Sequence, residues 1–200
     1  MIRLISLLPL LVFPTISTLG QATSHNVILR VVRVTTDWMP YASTGGWTSA
    51  AERKESNALK FYEVAIWEEI STVHLYAFPN EYDPLYGLAG DVSDEQKIAY
   101  REQFRLRQYT GLPELGYPSE RSEFLKSAFM DIASLLSSEH PDSDHHLMYS
   151  GHGAPGGNLF AGSMHGNDAA EFLDHWTKSI GQPLGVIDMG GPCNKGSFTD

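Results

Sequence analysis

A single cysteine, Cys193, in a chain of 200 residues rules out an internal disulfide, so noncovalent packing has to hold the fold together. Positive charge is scarce as well: 14 Lys and Arg stand against 24 Asp and Glu, a formal net charge of −10. With no basic stripe anywhere, nucleic acid is not an expected partner. No apolar run is long enough to span a bilayer comfortably, and no internal repeat or low-complexity segment occurs. The chain also lacks a phosphate-loop lysine motif and a Gly-x-Ser-x-Gly elbow, so neither a nucleotide site nor a serine hydrolase is expected.

The first 24 residues differ from the rest. Arg3 precedes an apolar block from Leu4 to Phe13, and a stretch of small and polar residues ends near Gly20-Gln21-Ala22. That order describes a secretory signal peptide, with cleavage expected between Gly20 and Ser24. Pro9 and Pro14 interrupt the block, so a permanent membrane helix is not expected. Residues 25–200 then form one domain of ordinary size in an exported protein.

Within that domain, residues 26–34 (NVILRVVRV) are dense in β-branched side chains and read as a buried first strand. Ser49 with Glu52 has capping-box spacing, and a helix is expected over about 50–70 with Leu59, Tyr62, Ile66 and Ile70 on one face. A second strand is expected at 72–78. Residues 79–118, rich in Gly and Pro, read as a surface excursion holding one helical run at about 94–108. Ser119 opens a helix whose stripe is Leu125, Phe129, Ile132 and Leu136, ending by His140-Pro141. Residues 145–150 form a short strand, and a glycine-rich loop follows to about Gly166. A helix capped by Asn167 or Asp168 then buries Phe172, Leu173, Trp176 and Ile180, and 183–189 is a fourth strand. This alternation predicts an α/β fold with a mostly parallel central sheet between helices.

In such sheets functional groups gather beyond the carboxyl ends of the strands. His152 and Cys193 each sit in a glycine-rich turn just past an apolar strand, and one βαβ crossover joins them. If that crossover sets its two strands side by side, an imidazole and a thiol come within reach of each other. Thiol chemistry needs that pairing. A free cysteine, with a pKa of about 8.5, is mostly protonated at neutral pH, whereas a nearby imidazole favours the thiolate and later protonates a departing amine. The backbone amides of Gly153 and Cys193 are the candidate oxyanion donors.

An apolar strand ending in His-Gly, YSGHG at 149–153, then another ending in a cysteine turn, GVIDMGGPCNKGSF at 185–198, resembles the caspase-like clan of cysteine peptidases. The clan includes caspases, legumains, clostripain and gingipains, and residues 193–198 are similar to the segment after the legumain nucleophile. The resemblance implies a three-layer caspase-like fold, with His152 as general base and acid, Cys193 as nucleophile, and Gly153 and Cys193 forming the oxyanion hole. It implies a polypeptide substrate, no cofactor and no metal. Where clan members place an acidic residue or glutamine and then alanine before the cysteine, this chain has Gly191-Pro192. Further strands are expected past Asp200, which makes 25–200 an incomplete peptidase domain.

Two other readings compete. The chain retains the fold as a silent binding or regulatory domain, or it is a metal-dependent hydrolase drawing on His140, Asp142, Asp144, His145, His146 and His152. That histidine cluster lacks an established ligand spacing, and a solvated linker is the plainer reading.

Overall fold

The computed structural model describes residues 26–34, 59–78, 93–150, 158–160 and 163–189. The expected signal peptide and the Ser49–Glu52 capping box lie outside the described residues. Six strands and three helices are described: β1 (Asn26–Val34), β2 (Leu59–Trp67), β3 (Thr72–Phe78), α1 (Asp94–Glu102), β4 (Arg105–Thr110), α2 (Pro118–Glu139), β5 (Asp144–Ser150), α3 (Gly166–Ile180) and β6 (Val186–Asp188). The strands form one sheet in the order β4-β3-β2-β1-β5-β6. β2, β1, β5 and β6 are parallel, while β3 and β4 join as antiparallel neighbours. The mostly parallel α/β sheet expected from the alternation is present, as a mixed sheet with an antiparallel wing.

Strand alternation assigns the two faces. Val27, Leu29 and Val31 of β1 pair beside Lys60, Tyr62 and Val64 of β2 on one side and His145, Leu147 and Tyr149 of β5 on the other. On this face α2 presents Leu125, Phe129, Ile132 and Leu136, all fully buried, and α3 adds Phe172 and Trp176. These six are the predicted stripes of the two helices, apart from Leu173 and Ile180, which are half-buried. Each fully buried side chain of this size contributes about 1.5–3 kcal/mol.

The opposite face carries a smaller apolar group, Val32, Ala65, Tyr76 and Phe78, and a buried ion cluster. Glu63 of β2 lies between Arg30 of β1 and Arg101 of α1, all three at most 3% exposed. The Arg101 guanidinium also lies over the Tyr76 and Phe78 rings, 4.6 and 5.1 Å from their centroids. Helices therefore flank both faces, which gives the three layers. α1 is held at its start by a capping box between Ser93 and Gln96.

Three expected elements differ. The segment 59–67 is strand β2, not the end of a helix. Its apolar residues recur at helical spacing only because a strand covered on both faces reads as a nearly continuous apolar run, and Glu63, which breaks that run, is a buried ion partner rather than part of a wet helix face. Ile70, fitted to the same stripe, is 55% exposed in the turn before β3. The helical run at 94–108 stops at Glu102, and Arg105–Thr110 becomes edge strand β4, so that part of the excursion belongs to the sheet. Finally, α3 begins at Gly166 after His165, with no side-chain cap from Asn167 or Asp168.

Candidate active site

Because β1, β2, β5 and β6 run in the same direction, their carboxyl ends share one rim of the sheet, where open α/β sheets place their sites. β5 and β6 are hydrogen-bonded neighbours, with Leu147 level with Ile187 and Met148 level with Asp188. Along the chain His152 follows Met148 by four residues and Cys193 follows Asp188 by five. The strands that lead to the predicted pair are thus adjacent, parallel and in near-matching register. His152, Gly153 and Cys193 themselves lie outside the described residues. Gly185 sets the approach of β6: its amide donates to the His145 carbonyl at 2.9 Å, and a Cβ on it would meet His146 Cε1 at 2.6 Å.

The same rim carries charged groups that the sequence reading passes over. Arg33, near the end of β1, donates through Nε to Glu68 Oε1 at 2.7 Å, and Arg121 of α2 donates through Nη2 to the same oxygen at 2.5 Å. Arg121 is almost wholly buried. Its Nη1 donates to the Pro113 carbonyl at 2.7 Å, and Nη2 also lies 3.4 Å from Ser163 Oγ. Burial lowers the Arg121 pKa, and Glu68 opposes that fall. One residue on, Ser122 Oγ accepts from the His165 amide at 2.7 Å and donates to Asp168 Oδ2 at 2.5 Å. Asp168 is held below the usual carboxylate range by Lys126 first and Ser122 second. Arg121 stands four residues before Leu125 on the buried stripe of α2, so its sequence position was the signal for its burial.

The histidine-rich segment does not assemble as a metal site. Strand alternation puts His145 and His146 on opposite faces of the sheet. Trp176 Nε1 donates to His145 Nδ1 at 3.2 Å, and His145 Nε2 lies 3.0 Å from the His140 carbonyl. With one nitrogen accepting and the other donating, His145 is the neutral Nε2–H tautomer with no lone pair left for a metal. His146 Nε2 faces Asn26 Oδ1 at 3.0 Å, and His140 Nε2 lies 2.7 Å from the Tyr62 hydroxyl. Among the described residues no three His, Cys, Asp or Glu side chains converge as ligands, and no helix is long and apolar enough to cross a membrane.

One glycine pattern also needs correction. Gly151, Gly153 and Gly156 do have Gly-x-Gly-x-x-Gly spacing directly after β5, a feature the reading against a nucleotide site passes over. That fingerprint requires a helix opening at the third glycine. Among the described residues the next helix, α3, starts at Gly166, after a bridge between Leu159 and Met164, so they show no helix opening at that glycine.

No family model matches the chain, and no curated protein does. Among solved structures it is similar to a secreted C11 cysteine protease from Bacteroides thetaiotaomicron, "iotapain", at 11% identity and a TM-score of 0.39. The match covers 82% of this chain and 45% of that one, so the chain spans under half the length of that protease.

Proposed function

We propose that this protein is a cysteine-type endopeptidase of the caspase-like clan, exported by a signal peptide at residues 1–24 and acting on polypeptides through residues 25–200. The reading is supported by the parallel pairing of β5 with β6, the strands that precede His152 and Cys193 in the chain. In the proposed reaction the Cys193 thiolate adds to the scissile carbonyl, and the oxyanion accepts hydrogen bonds from the amides of Gly153 and Cys193. His152, protonated, gives its proton to the leaving amine as the C–N bond breaks, leaving a thioester. Water then adds to the thioester while His152 takes its proton, and the acid departs as the thiolate is restored. No metal or other cofactor enters these steps.

The test is turnover of a mixed peptide library by the purified chain. Activity sensitive to iodoacetamide, and reduced at least about a thousandfold in both Cys193→Ala and His152→Ala, is the expected result. Turnover that survives Cys193→Ala and disappears with a chelator would instead point to metal hydrolysis. A folded chain that binds peptides without cutting them would be a silent relative of the clan.

A further inference from the structure

The predicted base, His152, sits in a seven-residue segment, 151–157, between two described ends. One end is Ser150, fixed by pairing with Val32 of β1. The other comprises the described residues 158–160 and 163–165, which carry a bridge between Leu159 and Met164 with amide-to-carbonyl bonds of 2.8 and 3.1 Å. Phe160 within it is buried at a positive φ of 53°, packed against Phe129 of α2 and Tyr149 of β5. A non-glycine residue keeps such a conformation only where its surroundings impose it.

The start of α2 reaches the same returning stretch. Arg121 touches Ser163, and Ser122 binds the His165 amide and Asp168 at the head of α3. Arg121 is tied in turn to the end of β2 through Glu68 and, through Pro113, to the chain entering α2. A single buried guanidinium thus joins three separate segments beside the rim. A planar fork with several fixed donors can do this, whereas a lysine's single point of charge cannot. Substitution of a buried, paired charge costs stability in any protein; a position tied to the segment that returns from His152 does more than that.

We propose that Arg121, with Ser122 beside it, is a positioning residue for the proposed peptidase: it fixes the returning end of the His152 segment and so sets the imidazole relative to the Cys193 thiol. This inference rests on the peptidase reading. Misplacing a catalytic group by about 1 Å costs on the order of a hundredfold in rate, so the effect should fall on kcat rather than KM.

The experiment uses the full chain, in which Cys193 is the only thiol, so the pH dependence of its alkylation by iodoacetamide reports the thiolate directly. In the wild type, alkylation is expected to titrate well below the free-cysteine value of about 8.5, and His152→Ala should abolish that depression. Arg121→Met should move the titration back toward the free value and lower kcat tenfold or more with KM little changed, and Arg121→Lys should recover only part of the loss. The reference variant is Asp131→Asn, which breaks the Arg107–Asp131 pair elsewhere on α2 and should lower stability without moving the titration. Should Arg121→Met prove too unstable, Glu68→Gln keeps the acceptor, removes its charge and is read the same way. Amide exchange at Leu159, Met164 and His165 should rise in Arg121→Met and not in Asp131→Asn. A depressed thiol titration that persists in Arg121→Met with unchanged kcat, or unchanged exchange at those amides, would overturn the positioning role alone. A wild-type thiol titrating near 8.5 regardless of His152 would remove the peptidase reading and this inference with it.

Discussion

Three strand histidines, His74, His145 and His146, are buried, and in each case burial lowers the pKa below the ordinary 6.5. Protonation is therefore resisted in the folded chain and unopposed in the unfolded one. Below about pH 6.5 the unfolded state binds more protons, so stability is complete above that value and falls as pH drops through it. His145 is the clearest case, because both nitrogens are engaged and a second proton would break the bond from Trp176. We expect the melting temperature to drop steadily from pH 7 to pH 5, and His145→Gln to flatten that slope while lowering stability at pH 7; thermal melts across the range decide it, and an unchanged slope in His145→Gln would exclude His145 as a source. The carboxylates Asp131 and Asp168, held low by their hydrogen bonds, act in a separate window below about pH 4. At this scale the sequence offered candidate side chains but not how the described ones are partnered. His145 and His146 are adjacent in the chain, and only the two-residue period of a strand reveals that they part to opposite faces. Arg121 was equally readable as a wet helix residue, because its charge hid its place on the apolar stripe.

Elements were legible where their composition agreed with one period. Strand β1 and strand β3 fall at the expected bounds, as does the end of α2, and the α2 stripe is the one its spacing predicted. Strand β2 was misread because its apolar residues also fall at helical spacing and its Glu63 faces a partner supplied from α1, a contact no local window contains. Glu63 carries a prediction at this level. Two guanidiniums flank its carboxylate, and burial first, then Arg30, lowers the Arg101 pKa. Removing the anion takes one shared partner from two buried cations, a loss of about 3–5 kcal/mol by analogy with other broken buried pairs. Urea unfolding of Glu63→Ala should show it, together with detachment of α1 seen as faster amide exchange over 94–102. A cost under about 1 kcal/mol would mean that water reaches the cluster.

For the molecule as a whole, the sheet order sets how folding has to proceed. The antiparallel wing β2-β3-β4 is built from neighbours in the chain, whereas β1 pairs with β5, and the His146 to Asn26 bond joins residues 120 apart. Local pairings close at a smaller entropic cost than distant ones. Pulse-labelled exchange during refolding should therefore protect amides of β2 and β3 before those of β1 and β5; simultaneous protection would contradict it. The overall α/β alternation was visible from periodicity and turn residues, but the place of β1 in the middle of the sheet was not, because strand order is decided by which faces cover one another.

That central position matters at the ribosome. β1 emerges before every other described strand, and at about 5–20 residues per second the partner on its β5 side arrives roughly 6–24 s later. For that interval a string of valines, isoleucine and leucine has one flank unmatched, a state that invites association between nascent chains. Yield in a fast-translating host should depend on holdase chaperones more than on the stability of the finished molecule.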